Sequence, residues 1–220
     1  KSFKKKFPYF FTGTELIGMK LNHIPFLWEP YISIQGLSAL AGSSNVGKSS
    51  LLRQFAIAIV LKKTEFLGFP LNVRNGRVIY VSTEDNQISI NAMLKKQISK
   101  DLNPEALKGL GYIFNNDKIN NLIEEQLKES STDAVIIDSF GDIFDGHMND
   151  ITSVRRFLGK YEKLAADYNC AIIFLHHTGK RTENGVASKN NLIGSQGFEA
   201  KMRLVMELRK GPKSDHRYLW

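Results

Sequence analysis

A short stretch rich in glycine and serine contains the residue types that bind phosphate. It reads Gly42-Ser43-Ser44-Asn45-Val46-Gly47-Lys48-Ser49. This fits the pattern of a glycine, four further residues and then Gly-Lys-Ser or Gly-Lys-Thr. Glycines let the backbone curl so that its N–H groups point at phosphate oxygens. Lys48 can then reach the β- and γ-phosphates, and the Ser49 hydroxyl can ligate Mg²⁺. Together with Ser50, the stretch predicts a site for a nucleotide and Mg²⁺.

The segments on either side of this stretch have the patterns of a strand and a helix. Residues 37–41 form an apolar run that predicts a buried strand, and residues 50–62 predict a helix. The N-terminus of that helix would add a partial positive charge beside the phosphates. A chance match in a strand-to-helix turn is the alternative, but the order of strand, loop and helix favours nucleotide binding. The apolar face of the predicted helix consists of Leu51, Leu52, Phe55, Ile59 and Val60.

Polar side chains also follow other apolar runs, where predicted strands end. Glu84, Asp138 and the pair His176-His177 each lie at such a place. In open α/β sheets, ligands bind outside the carboxyl ends of the strands. These side chains are therefore expected at the same edge of the sheet as the phosphate-binding stretch. Their agreement is stronger evidence for one site than any single motif.

The two acidic side chains suit different tasks. Asp138 after an apolar strand is the expected carboxylate for Mg²⁺, held together with Ser49. The next residue is Ser139, whereas many enzymes with such a phosphate loop carry a catalytic glutamate there. The base must therefore come from elsewhere, and Glu84 is the candidate that orients and polarises the attacking water. Asp85 is its rival.

The two adjacent histidines cannot both face a nucleotide. Side chains alternate between the two faces of a strand, so only one of them points into the site. We favour His177 as the residue that senses the γ-phosphate and relays hydrolysis into the following loop, 178–194. The alternative is that either histidine is only a polar strand end.

Length and pattern together define the fold class. The chain has 220 residues, of which 42% are hydrophobic, and apolar strands alternate with helices. This predicts one α/β domain with a mostly parallel, twisted sheet and helices on both faces. We assign this α/β domain to residues 31–220. Residues 1–30 form a basic and aromatic N-terminal segment that is expected to pack on a neighbouring subunit.

Charge and cysteine content restrict the partners and the compartment. The net charge is +8 and the sequence pI is about 9.5, which favours polyanionic partners such as nucleic acid. The single cysteine, Cys170, excludes an intrachain disulfide framework and suits a reducing cytoplasm. No apolar run approaches the roughly 20 residues that span a bilayer, so no membrane partner is expected.

These motifs resemble those of the RecA-like ATPases. The resemblance is greatest to the RepA-type hexameric helicase branch of plasmids, phages and mobile elements, and it extends over nearly the whole chain. It implies that ATP and Mg²⁺ are the cofactors, that Glu84 is the catalytic glutamate and that His177 is the sensor. The matching segments, in the order of the family, are 37–51, 78–85, 135–139, 174–180 and Gly194-Ser195.

The resemblance also implies nucleic acid as a partner. Loops 140–150 and 179–192 match the two loops that face the central DNA channel in such enzymes. The second loop contains Lys180, Arg181 and Lys189, which are suited to phosphate contacts with single-stranded DNA. The implied assembly is a homo-oligomer, namely a hexameric ring, that works with other replication proteins.

ATP lies between subunits in these enzymes, and the neighbouring subunit supplies an arginine finger. The stretch around Arg209 resembles the Arg-Asn-Gly-Pro stretch of related replicative helicases. Arg209 is therefore the candidate finger in trans, and Lys210 is the alternative. Glu207 stands where those enzymes carry a lysine, which is a departure from their pattern. Arg53, on the predicted helix after the phosphate loop, is expected at the surface, with a contact to the nucleotide as the alternative.

The sequence also leaves two other functions open. One is a recombination or repair ATPase of the RecA type, which forms filaments or rings without processive unwinding. The other is a regulatory ATPase of the circadian-clock type, whose nucleotide state controls a protein partner. A guanine-nucleotide switch is disfavoured, because the sequence contains no Asn-Lys-x-Asp motif.

Overall fold

A seven-stranded sheet forms the centre of the molecule. The computed structural model describes residues 11–19, 23–114, 117–179, 186, 188, 191–193, 196–213 and 216–220. The strands are β1 (Phe26–Trp28), β2 (Ile32–Ser33), β3 (Gly36–Gly42), β4 (Glu65–Phe66), β5 (Phe69–Pro70), β6 (Val78–Ser82), β7 (Leu110–Phe114), β8 (Ala134–Asp138), β9 (Ala171–His177), β10 (Leu204–Lys210) and β11 (Arg217–Leu219). The order in the sheet is β11-β10-β3-β9-β8-β6-β7. All neighbours are parallel except β11, which runs antiparallel to β10.

Helices cover both faces of this sheet, which confirms the predicted fold class. The helices are α1 (Gly13–Gly18), α2 (Lys48–Val60), α3 (Gln87–Gln97), α4 (Ile119–Glu129), α5 (Phe140–Ile143), α6 (Ile151–Tyr168) and α7 (Gln196–Glu199), with a 3₁₀ turn at Pro104–Leu107. Side chains of α2 pack in one apolar cluster with one face of the strands. Side chains of α4 and α6 pack in a second cluster with the other face. The strands are apolar on both sides because both faces are buried.

The parallel strands bring their carboxyl ends to one edge. Gly42 lies opposite His177 in the pairing of β3 with β9, and Ser82 lies opposite Asp138 in the pairing of β6 with β8. The phosphate-binding stretch follows β3, and Glu84 follows β6. The polar residues that the sequence placed at strand ends therefore lie along one edge.

The sequence pattern predicts a loop for the segment 140–149, but the structure shows that only part of this segment is a loop. It begins with the short helix α5, because Phe140 is buried and anchors this turn. The Phe140 ring lies 4.6 Å from that of Phe198 and 5.7 Å from that of Phe174, measured between centroids. Burial of one aromatic side chain thus converts the first residues of the expected loop into a helical turn.

The N-terminal segment contributes to the core before residue 31. Leu27 and Trp28 are buried, and the Trp28 indole donates a hydrogen bond to the Phe66 carbonyl at 3.0 Å. The Trp28 ring also lies 5.6 Å from that of Phe55 on α2. The division into 1–30 and 31–220 stays a prediction. In the part of the chain that the structure describes, no helix has the length and apolarity to cross a membrane.

Candidate active site

The phosphate-binding stretch forms the turn between β3 and α2, and two of its glycines have conformations that favour glycine. Gly42 has φ +155°, and a Cβ there would lie 2.5 Å from the Leu208 carbonyl oxygen on β10. Gly47 has φ +102° and immediately precedes α2, which begins at Lys48. A larger side chain at either position would strain the backbone. The loop thus presents the N-terminus of α2 towards the edge where a phosphate would lie.

Lys48 lies inside this turn. Its ammonium group donates hydrogen bonds to the carbonyls of Gly42 at 3.0 Å and Ser43 at 2.7 Å. Burial lowers the pKa of Lys48, and the nearby carboxylates of Asp138 and Glu84 act in the opposite direction. The positive charge is therefore held between the loop and two acidic groups, where phosphate oxygens could bind it.

Asp138 and Ser49 form the candidate metal pair. The Tyr80 hydroxyl donates to Asp138 Oδ2 at 2.8 Å, and the Ser49 side chain is also hydrogen-bonded to Asp138. Burial raises the pKa of Asp138, and these two hydrogen bonds partly offset that rise. Mg²⁺ is commonly held by one or two protein oxygens together with substrate phosphates and water. Oxygens of Ser49 and Asp138 fit this donor set. Among the described residues, no group of three or more His, Cys, Asp and Glu could hold a metal by itself.

Glu84 and His177 meet at the rim of the same edge. His177 Nε2 lies 3.7 Å from Glu84 Oε1, and their side chains are 33% and 59% exposed. Glu84 is thus accessible to water and close enough to Lys48 to act on its charge. Asp85, the rival base, accepts a hydrogen bond from the Ser82 hydroxyl through its backbone carbonyl at 3.0 Å.

His176 points to the opposite side of β9, as strand alternation predicts. It is buried, with its ring 4.4 Å from that of Phe198 and 5.3 Å from that of Phe140. Its Nε2 is hydrogen-bonded to the Ile193 carbonyl at 2.7 Å. Burial lowers the pKa of His176 to about 4. This histidine is therefore a neutral core residue, and His177 is the one beside Glu84.

Arg209 is held within its own chain. Its Nε lies 2.7 Å from Glu207 Oε1, and its Nη2 donates to the Val186 carbonyl at 3.3 Å. Glu207 also accepts a hydrogen bond from the Asn191 side chain at 3.2 Å. A role in trans stays a prediction and would require Arg209 to exchange this carboxylate for a phosphate. Lys210, the alternative finger, is exposed at the end of β10.

The three residues expected to contact nucleic acid cannot be placed. Lys180, Arg181 and Lys189 lie outside the described residues. The described parts of the second loop show how it is attached. The Gly179 amide donates to the Asn191 carbonyl at 2.9 Å, and the Ile193 amide donates to the His177 carbonyl at 3.1 Å. Both ends of this loop thus return to β9.

The prediction that Arg53 lies at the surface is wrong. Its side chain is buried, with a relative exposure of 2%. The guanidinium donates to Gln97 Oε1 at 3.0 Å and to Met93 Sδ at 3.2 Å, both on α3, whereas no described residue accepts from its buried Nη1. Packing of α3 over α2 buries it. Since most of α2 between Leu52 and Val60 is apolar, a helix covered on several sides could have been suspected.

The sequence pattern does not predict that Arg217 lies near the phosphate-binding loop, because its position depends on the register of a hairpin. Pairing of β11 with β10 places Arg217 opposite Lys210. Its Nε donates to the Val46 carbonyl at 2.9 Å, so it contacts the phosphate-binding loop directly. No motif surrounds Arg217 in the sequence, and only the fold reveals this contact.

The comparisons with known proteins bear on the family and the fold. Residues 14–183, more than half of the chain, match a family model described as AAA domain. No curated protein matches the sequence significantly. A solved structure titled "Crystal structure of the RadB recombinase" superposes with a TM-score of 0.56 at 18% sequence identity, over 84% of this chain and 79% of that one. At that identity, the likeness shows the fold alone. The chain therefore belongs to this AAA domain family, and its fold is that of the RecA-like P-loop ATPases.

Proposed function

We propose that this protein hydrolyses ATP with Mg²⁺ and uses the reaction to move along single-stranded DNA, as a replicative helicase of the RepA type. One observation carries the proposal. Lys48, the Ser49–Asp138 pair and the Glu84–His177 pair lie along a single edge of the sheet, around the N-terminus of α2. This is the set of groups that phosphoryl transfer to water requires.

Each group has a task that its surroundings support. Lys48 binds the β- and γ-phosphates, and the N–H groups of the loop surround them. Asp138 and Ser49 would hold Mg²⁺, which when bound would neutralise charge on the phosphate oxygens. Glu84 orients the attacking water and accepts its proton, which suits a carboxylate that is exposed at the rim. Tyr80 holds the Asp138 carboxylate in place through its hydroxyl.

The coupling to DNA rests on the loops that leave this edge. His177 contacts Glu84 and is the last residue of β9, so it connects the site to the loop of Lys180, Arg181 and Lys189. A change in Glu84 on hydrolysis would be passed to these cationic residues, which would contact phosphates of a single strand. The net charge of +8 favours the same partner. In a ring, Arg209 or Lys210 of one subunit would reach the nucleotide of its neighbour and complete the active site.

A recombination or repair ATPase is the second candidate. The fold similarity to the RadB recombinase fits this function as well as it fits a helicase. Such a protein would bind single-stranded DNA and hydrolyse ATP but would not separate strands. A regulatory ATPase would hydrolyse ATP at a rate that DNA does not affect.

The test is steady-state ATPase activity with and without a single-stranded oligonucleotide, followed by a strand-displacement assay on a forked duplex. Lys48→Ala is the control for activity that does not come from this site. We expect stimulation by the oligonucleotide and displacement of the labelled strand. Stimulation without displacement would favour the recombination ATPase. Turnover that DNA leaves unchanged would contradict both DNA-dependent functions.

A further inference from the structure

The residue before Glu84 is hydrogen-bonded to the loop that follows Asp138. Thr83 Oγ1 lies 2.6 Å from Asp142 Oδ2, although the two residues are far apart in the chain. The same carboxylate oxygen accepts a hydrogen bond from the Ser139 hydroxyl at 2.7 Å. Asp142 belongs to α5, the first turn of the segment 140–150. Thr83 thus connects this segment directly to the neighbouring residue Glu84, the candidate base.

We propose that Asp142 is a positioning residue, which acts through Thr83 to set the place of Glu84 and so connects the segment 140–150 to hydrolysis. The inference rests on the proposed function, because it assumes that Glu84 activates water. It adds a second connection to the one through His177, whose Nε2 lies 3.7 Å from Glu84 Oε1. Glu84 would then respond to two loops, the one that follows β8, which is paired with β6, and the one that follows β9.

The Thr83 hydroxyl has one proton and two possible acceptors. Besides Asp142, it lies 2.7 Å from the backbone carbonyl of Asp138, and it accepts a hydrogen bond from the Ser139 amide at 2.9 Å. A hydroxyl donates only one hydrogen bond at a time, and a carboxylate is the stronger acceptor. While Asp142 is in contact, the proton points to it. If the segment 140–150 moves Asp142 away, the hydroxyl turns to Asp138.

This arrangement lies between the two acidic groups that the reaction needs. The Thr83 amide also donates to the Asp138 carbonyl at 2.8 Å, so the strand end that carries Glu84 is tied to the one that carries the metal ligand. A displacement of about 1 Å at a catalytic group can cost up to a hundredfold in rate. A shift of the strand end at Thr83 that displaces Glu84 by this distance is therefore sufficient to change turnover.

A purely local role for Asp142 is the competing explanation. The Ser139–Asp142 contact spans three residues at the start of α5 and could simply stabilise that turn. Asp142 is exposed, however, and its contact with Thr83 is not needed to form the turn. The two explanations differ in whether Thr83 and Asp142 act as one unit in catalysis.

A double-mutant cycle on turnover separates them. The variants are Asp142→Ala, Thr83→Val and the double variant. Thr83→Ser, which keeps the hydroxyl, is the conservative variant, and Glu125→Ala is the removal of an exposed acid on α4, outside the proposed site. We expect each of the two single variants, Asp142→Ala and Thr83→Val, to lower kcat by about tenfold or more at a nearly constant KM for ATP. The double variant should be no slower than the slower single one.

The control variants and the DNA dependence complete the test. Thr83→Ser should restore most of kcat, and Glu125→Ala should keep the wild-type ratio of DNA-stimulated to basal turnover, which Asp142→Ala loses. Independent, multiplying effects on kcat would overturn the inference, and so would a normal kcat in Asp142→Ala. If DNA fails to stimulate the wild type, the motor function is wrong, and the cycle on basal kcat still decides whether Asp142 and Thr83 act as one unit.

Discussion

One aspartate directly precedes strand β8 and another is its last residue, and the two differ in their hydrogen-bond partners. Asp133 precedes the strand and is fully buried. Its two oxygens accept hydrogen bonds from a run of consecutive backbone amides. These amides belong to Arg74, Asn75, Gly76 and Arg77, at 2.6–3.3 Å. Asp138 ends the strand, and its carboxylate accepts hydrogen bonds from the side chains of Tyr80 and Ser49.

The arginines near the two edges show the same contrast. Arg77, at the amino-terminal edge, donates to the carbonyls of Gln126 and Ser130 and to the side chains of Thr132 and Gln126. Arg53, which is close enough to Asp138 to affect its pKa, has a buried Nη1 for which the described part of the chain offers no acceptor. Polar groups whose bonding capacity is filled hold the fold together, whereas groups with capacity left can bind a ligand. Among these groups, those at the carboxyl-terminal edge have hydrogen-bonding capacity that the described residues leave unfilled.

The largest expected effect is on stability at the amino-terminal edge. Asp133→Ala should lower the free energy of unfolding by about 3–4 kcal/mol, because it leaves several amides without acceptors. Asp138→Asn should change it by no more than about 1 kcal/mol, because burial already disfavours the charged carboxylate there. Urea unfolding at pH 7 without nucleotide measures both. A greater loss in Asp138→Asn than in Asp133→Ala would contradict the contrast.

The second-largest effect concerns His176, the buried histidine at the carboxyl-terminal edge. The pKa of buried His176 is lowered from 6.5 to about 4, so the unfolded chain binds a proton there more readily than the folded one. The folded state should therefore lose up to about 3 kcal/mol as the pH falls from 6.5 to 4. His176→Phe and His176→Gln should both remove this loss. Urea midpoints at pH 7.5 and pH 5 would measure it, and an unchanged pH dependence in both variants would refute it.

The smallest effect concerns the arginine with an unfilled donor. Arg53→Met should change the free energy of unfolding by less than about 1 kcal/mol, because an apolar side chain of similar length replaces a buried cation at little cost. Arg77→Met should cost about 2 kcal/mol, since it leaves several part-buried acceptors unfilled. Thermal unfolding of the two variants, side by side, tests this. Equal losses would mean that unfilled bonding capacity does not distinguish the two edges.

The sequence was sufficient for those parts of the site that follow from strand order and alternation. The phosphate loop lies between a strand and a helix, Glu84 and Asp138 lie at strand ends, and His176 and His177 point to opposite sides of β9. Each of these features follows from local pattern combined with a parallel sheet. The roles of these residues stay predictions.

The remaining features depend on contacts between distant segments. The burial of Arg53 results from the packing of α3 on α2, and the contact of Arg217 with Val46 results from the register of β11. The Thr83–Asp142 hydrogen bond requires α5, which forms because Phe140 is buried. No periodicity or motif in the sequence contains this information, because tertiary packing decides these positions.

The most direct test of the proposed active site is to compare nucleotide binding and turnover in Glu84→Gln. Binding of a fluorescent ATP analogue with Mg²⁺ and steady-state ATP hydrolysis are measured on the same preparation. We expect the affinity to stay within about threefold of the wild type, because Lys48, Ser49 and Asp138 are unchanged, while turnover falls by about a hundredfold or more. Turnover that survives in this variant would show that another group activates the water, and would contradict the role of Glu84 at the carboxyl-terminal edge.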